Sequence, residues 1–171
     1  MLKPCEGATP VAQGVAGKTI GELLLLVGDA GKGLRQEAMG RLLELGLDTC
    51  CAELENAVRN DDDADLRNGA MEAFVGFGPA AVPKLVMLLD DDNEEVRNFS
   101  TVMLGDIGSR TAVEPLIRLL SDPDANVRHG AAEALAKIGD RRAVPPLRRL
   151  LRGDYWDNGY AVAALGKLGG E

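Results

Sequence analysis

Aromatic side chains are scarce in this chain, 4% of residues against 46% apolar. Its core must be assembled from Leu, Val, Ile and Ala, which suits helix packed on helix better than a sheet sandwich. Histidine occurs once, at His129, so chemistry that needs paired histidines has no material to work with. Cysteine is limited to Cys5, Cys50 and Cys51. An odd number, two of them adjacent, makes no disulfide framework, and no C-x-x-C pair offers a zinc or redox motif. A reducing cytosol is the simplest setting, and the expected location is cytoplasmic. Long apolar runs are missing too. Leu23 to Val27 is far too short to span a bilayer, and the first eighteen residues hold no apolar run of the kind a signal peptide needs. Positive charge is the minority sign, 19 Lys+Arg against 27 Asp+Glu, for a net charge of −8. That argues against a general nucleic-acid or anionic-membrane binder, because phosphates call for a basic surface.

What the chain has in quantity is a repeat. Arg35, Arg67, Arg97 and Arg128 stand 32, 30 and 31 residues apart. Six residues before them come Asp29, Asp61, Asp91 and Asp122. Three after them come Ala38, Ala70, Ser100 and Ala131; seven after, Leu42, Phe74, Leu104 and Leu135; ten after, Leu45, Phe77, Ile107 and Ile138. Offsets of three, seven and ten share one face of an α-helix. Asp63, Asn93 and Asp124 can cap that helix, with Gly31 the weaker cap in the first unit. Gly46, Gly78, Gly108 and Gly139 fall where a helix ends in a left-handed residue. Pro83, Pro115 and Pro145 then suit the first turn of a second helix. Each unit therefore reads as helix, turn and antiparallel helix, too small to bury its own apolar face and stabilised by stacking on the next.

The period and the Asp–five–Arg spacing resemble HEAT repeats. "DPDANVRHGAAEALAKIGDRRAVPPLRRLL" (residues 122–151) is similar to the short bacterial HEAT-like units first named from phycobilisome bilin lyases. The resemblance implies an all-α fold, a right-handed α-solenoid of stacked antiparallel hairpins. It also implies that Asp29, Arg35, Asp61, Arg67, Asp91, Arg97, Asp122 and Arg128 form a structural ladder between neighbouring repeats. The expected organisation is a flexible segment 1–18, then one repeat domain over 19–171. That domain divides into a half-unit 19–28, full units at about 29–59, 60–89, 90–120 and 121–151, and a C-terminal half-unit 152–171. Thr19 and Glu22 can form a capping box at the start, and Asn158 replaces the ladder arginine at the end.

Three stretches imitate functional motifs. "AQGVAGKT" (residues 12–19) lacks the first glycine of a phosphate loop and has no strand before it. Asp61, Asp63, Asp65 and Glu72 occupy ligand-like places of a calcium loop, but Leu66 stands where the sharp turn needs glycine. "VRHGAAEAL" (residues 127–135) resembles the iron-binding helices of deoxyhypusine hydroxylase, but Gly130 replaces the partner glutamate and there is no second histidine. No catalytic residue, metal site or cofactor is expected, and His129 reads as an exposed helix residue.

Function then falls to the surface. The mid-helix column of the second helices reads Leu25, Asn56, Met87, Arg118 and Arg149, changing from apolar to basic while the core columns stay constant. Residues 110–152 hold 9 Lys+Arg against 5 Asp+Glu, a net of +4 in an acidic chain. A basic ridge of Arg118, Arg141, Arg142, Arg148, Arg149 and Arg152 lies beside Tyr155 and Trp156. Trp, Tyr and Arg are favoured at binding hot spots. The expectation is a non-enzymatic scaffold that binds another protein, through an acidic segment, at Met87, Arg118, Arg148, Arg149, Arg152, Tyr155 and Trp156. An enzyme or lyase-related subunit is the alternative, followed by a nucleic-acid binder. The sequence leaves the oligomeric state open.

Overall fold

The structure, a computed structural model, describes residues 14–29, 31–60, 62–153 and 155–169; Asp61 and the side chains of Asp29 and Tyr155 lie outside that description. Ten α-helices follow one another: α1 (Ile20–Asp29), α2 (Lys32–Leu45), α3 (Leu47–Val58), α4 (Ala64–Phe77), α5 (Val82–Leu88), α6 (Glu94–Ile107), α7 (Val113–Leu119), α8 (Ala125–Ile138), α9 (Val144–Leu150) and α10 (Tyr155–Gly169). No strand occurs among the described residues. Short 3-10 turns at Gly78–Ala81, Arg110–Ala112 and Arg141–Ala143 lead into α5, α7 and α9. The fold is an α-solenoid with α2, α4, α6, α8 and α10 in one layer and α3, α5, α7 and α9 in the other.

The repeat columns account for the elements. Asp63 accepts from the Leu66 N–H, Asn93 from Glu95, and Asp124 from Asn126 and Val127, while Gly31 makes no side-chain cap. Thr19 and Glu22 close the capping box, with the Thr19 N–H donating to Glu22 Oε2 at 2.8 Å. Gly108 and Gly139 end α6 and α8 at φ of 71° and 75°, in the left-handed region that a side chain resists. Ala38, Ala70, Ser100 and Ala131 are fully buried, as are Leu42, Phe74, Leu104 and Leu135. The apolar run Ala64–Leu88 is long enough to cross a bilayer by length and composition, but it folds back on itself at Gly78 (φ 61°) into α4 and α5.

Two departures from regular stacking shape the molecule. The segment 19–28 does not simply cap the first hairpin. Instead α1 lies along the N-terminal half of α4, where Gly28 and Gly69 let the backbones meet: a Cβ at Gly69 would run into the Leu24 carbonyl, and one at Gly28 into the Asp65 carbonyl. Displaced by α1, α2 meets α4 further along, with Met39 and Leu43 over Gly76. Of the segment 1–18, residues 1–13 lie outside the described residues; Val15 packs against the core, and its carbonyl accepts from the Lys18 N–H.

The second departure is the spacing of α4 and α6. Where α8 presents Gly130 and Ala134 to α6, α6 presents Phe99 and Met103 to α4. The small pair allows close approach, so that a Cβ on Gly130 would strike the Thr101 hydroxyl. The large pair props α4 and α6 apart. An open cleft of about 480 Å³ results, walled by Met71, Val75, Val102 and Met103.

Candidate functional site

The Asp–five–Arg pattern is a staple. In the regular part of the stack Arg97 Nη1 donates to the Asp91 carbonyl at 2.9 Å, closing the turn before its own helix. Its Nε and Nη2 reach forward to Asp122 Oδ2 and Oδ1, both at 2.9 Å, in the next repeat. Asp122 Oδ1 also accepts the Asp124 N–H at 2.9 Å, which holds that turn. Arg128 repeats the arrangement, donating to the Asp122 carbonyl at 2.9 Å and pairing with Asp157 at 2.7 Å. Asn158, in the place of the next arginine, keeps only the backward half, donating to the Leu151 carbonyl at 3.0 Å. These groups are held in ion pairs and turns, so their role is structural.

The ladder is not continuous. Arg67 donates to the Asn60 carbonyl at 2.9 Å but lies over Phe99, its guanidinium carbon 5.3 Å from the ring centroid. The spread of α4 and α6 separates it from Asp91, which pairs with Arg59 at 2.7 Å. Arg35 pairs with Glu72, because displacement of α2 along α4 brings those two together. The rungs expected at Asp29 and Asp61 lie outside the described residues.

His129 is exposed, and its ring stacks on Tyr160 with centroids 4.1 Å apart. No group of three or more His, Cys, Asp or Glu able to hold a metal occurs among the described residues. Cys50 and Cys51 are buried thiols, and burial first raises the pKa of both. In the calcium-like stretch Asp63 is the cap of α4.

The surface column is displayed as its position demands. Asn56, Met87, Arg118 and Arg149 are all exposed, on α3, α5, α7 and α9 respectively, with Met87 69% accessible. Leu25 is exposed as well, but α1 has left the layer that holds the rest of the column. Between α7 and α9 runs a groove of about 400 Å³, its walls Ile117, Leu120, Pro146 and Leu150, its edge Arg149 and Arg152. Trp156 is 62% exposed at the start of α10; Tyr155 belongs to the same turn, but its side chain lies outside the description.

One arginine of the ridge is engaged by its neighbours, and another has a distinct setting. Arg142 is engaged by Asp140 at 2.9 Å, Glu114 at 3.3 Å and the Arg110 carbonyl. Arg148 is the other. Its counterparts Val86 and Ile117 are half-buried, and Ile117 lines the groove against α9. Among the described residues no helix packs over this position of α9, and Arg148 is exposed there. Arg118, Arg149 and Arg152 pair with no described residue, whereas Arg35, Arg59, Arg97, Arg128 and Arg142 are all in ion pairs.

Paired turns, stacked hairpins and an exposed second-helix column define the class: an α-solenoid of stacked helical hairpins. Residues 82–166 match the family model of HEAT repeats. Among solved structures the chain is similar to one in the complex of CpcE and CpcF of phycocyanin lyase from Nostoc sp. PCC7120. The identity is 23% and the TM-score 0.55, over 98% of this chain and 71% of that one. It is also similar to an engineered protein, at 23% identity and TM-score 0.51, over 88% of this chain and 79% of that one. At these identities the likeness is one of fold. No curated protein matches the chain significantly by sequence.

Proposed function

We propose that this chain is a non-enzymatic adaptor that binds an acidic segment of another protein on the surface formed by α7, α9 and the start of α10. The supporting observation is the division among its arginines. In a chain of net charge −8, Arg35, Arg59, Arg97, Arg128 and Arg142 are paired with carboxylates, while Arg118, Arg149 and Arg152 stand exposed, the last two at a groove with Ile117, Leu120, Pro146 and Leu150 in its walls. Unpaired guanidinium groups beside apolar walls supply both a forked donor for carboxylate and a surface to desolvate. Trp156, at the start of α10, adds an exposed indole, a residue type that anchors interfaces. Likeness in fold to a chain of a phycocyanin lyase complex is compatible with a protein-binding role, and no catalytic pair among the described residues recommends a lyase reading.

The test is binding of fluorescent poly-glutamate, measured by anisotropy at low salt, to the native chain and to Arg118→Glu with Arg149→Glu. The double variant should keep its melting temperature, since exposed substitutions usually stay within about 0.5 kcal/mol, and lose most of its binding. Equal binding by a folded double variant places the function elsewhere.

A further inference from the structure

The first helices stack through one face, and that face recurs in step from repeat to repeat. Counted from Arg97, Arg128 and Asn158, the residues one, four and eight further on are Asn98, Thr101 and Gly105 in α6, His129, Ala132 and Ala136 in α8, and Gly159, Val162 and Gly166 in α10. In α6 and α8 this face receives the next helix. Thr101, Gly105, Ala132 and Ala136 are buried, Gly105 lies against Ala134, and His129 stacks on Tyr160. In α10 the same three positions are exposed, Val162 to 57%. No described residue outside α10 comes within 4 Å of a Cβ placed on Gly159 or Gly166.

This face of α10 is small and apolar, whereas a solenoid surface turned to water at either end of a stack calls for polar side chains. α2 has them: where α8 turns Gly130, Ala134 and Lys137 to α6, α2 carries Glu37, Arg41 and Glu44, all exposed. Glycine inside a helix weakens it. In α4, α6 and α8 such glycines admit a close neighbour, as Gly69, Gly76, Gly105 and Gly130 do. Gly33 and Gly40 of α2 meet nothing either, but they stand outside both stacking faces. The ladder, meanwhile, does not go on through α10. Arg97 and Arg128 grip the next repeat with guanidinium donors, whereas Asn158 donates backward to the Leu151 carbonyl. The stacking face is therefore retained where the staple for a further repeat is lost.

We propose that α10 pairs with α10 of a second copy of this chain, antiparallel and about a two-fold axis. The face is its own complement. Gly159 and Gly166 stand three residues before and four after Val162, so reversing the helix brings Gly159 of one copy to Gly166 of the other and sets Val162 beside Val162. The backbones approach at the glycines and the valines fill the centre. None of the three positions is charged, so nothing repels at the contact. Head-to-tail association fails on the same residues. It would press Val162 against Glu37, Arg41 and Glu44, desolvating charge on an apolar face, and it would run on into a filament.

Sedimentation velocity of the full chain tests the pairing. One helix against one helix is a small interface, so a dissociation constant on the order of 100 μM is expected. Added salt should tighten the dimer, since each copy carries a net charge of −8 and the contact is apolar; an acidic partner on Arg118 and Arg149 responds in the opposite sense. Val162→Glu and Val162→Lys alter an exposed residue and should keep the native circular dichroism. Each should weaken self-association more than about tenfold, because like charges then meet across the axis. An equimolar mixture of the two variants should dimerise again, because residue 162 meets its own counterpart. A chain that stays monomeric at about 1 mM, tenfold above the expected constant, overturns the proposal, as does a dimer unaffected by Val162→Glu. A mixture that stays monomeric, or growth beyond a dimer, overturns the two-fold pairing.

Discussion

Asp122→Ala offers the sharpest probe of what holds the repeats together. The Arg97 and Asp122 side chains are only 13% and 6% exposed, and they meet through two parallel hydrogen bonds of 2.9 Å. Truncating one partner of such a pair costs about 3–5 kcal/mol when the other charge is left buried. Arg97 keeps its bonds to the Asp91 and Asp92 carbonyls and a little contact with water, so the lower end, about 3 kcal/mol, is expected. The Asp124 N–H loses its acceptor at the same time. The paired control is Glu72→Ala. Glu72 and Arg35 are 44% and 41% exposed, and exposed pairs are worth about 0.2–1 kcal/mol. Urea unfolding followed by far-ultraviolet circular dichroism should separate the two variants by about 2 kcal/mol or more. Asp122→Asn keeps a side-chain oxygen for the turn and should fall between them. Two alanine variants within about 0.5 kcal/mol of each other would refute the idea that inter-repeat rungs stabilise this stack.

Other consequences are equally direct. Gly69→Ala must push α1 off α4, since its Cβ meets backbone, and should cost at least about 1–3 kcal/mol as overpacking; Gly166→Ala meets nothing within 4 Å and should gain about 0.5–1 kcal/mol of helix propensity. Asp140 has its pKa lowered to about 2 from 3.8, first by the hydrogen bond from the Arg142 side chain and then by that from the Arg142 N–H. A depressed folded-state pKa stabilises above the unfolded value and loses that contribution as pH falls through the folded one. Stability of the native chain should therefore decline more steeply below 3.8 than that of Asp140→Asn, read from melting temperatures down to about pH 2. Cys50 and Cys51 should resist a thiol reagent in the folded chain and react on unfolding, measured in variants that retain one cysteine each; rapid reaction of native Cys50 would contradict its burial.

Sequence revealed those features that each repeat restates. Gly108 and Gly139 mark helix ends, and Leu104 and Leu135 mark the core, because every unit solves the same packing problem with the same residue type. What was hidden depends on single residues that break step. Phe99, in the position of Gly69 and Gly130, sets the distance between two helices and thereby decides whether Arg67 can reach Asp91. Its effect is legible only once the facing helix is known. Gly28 and Gly69 lie far apart in sequence, and neither alone signals that α1 will slide onto α4. Arg148 stands out in sequence for a different reason. A charged residue in an apolar column reads as a binding residue, and in the structure the same position is half-buried in Val86 and Ile117 but exposed in Arg148. The exposed column with Arg118 and Arg149 was legible because its composition changes while its spacing does not.

The central claim is that unpaired arginines on the second-helix face, and not basic charge in general, recruit the partner. Affinity capture from the native cell, quantified by mass spectrometry, tests it with three baits: the native chain, Arg118→Glu with Arg149→Glu, and Arg142→Glu. The last reverses a guanidinium already engaged by Asp140 and Glu114. The account predicts a protein with an acidic segment that is retained by the native and Arg142→Glu baits, released by moderate salt, and lost from the double variant. Retention by the double variant, or equal loss from Arg142→Glu, would contradict it.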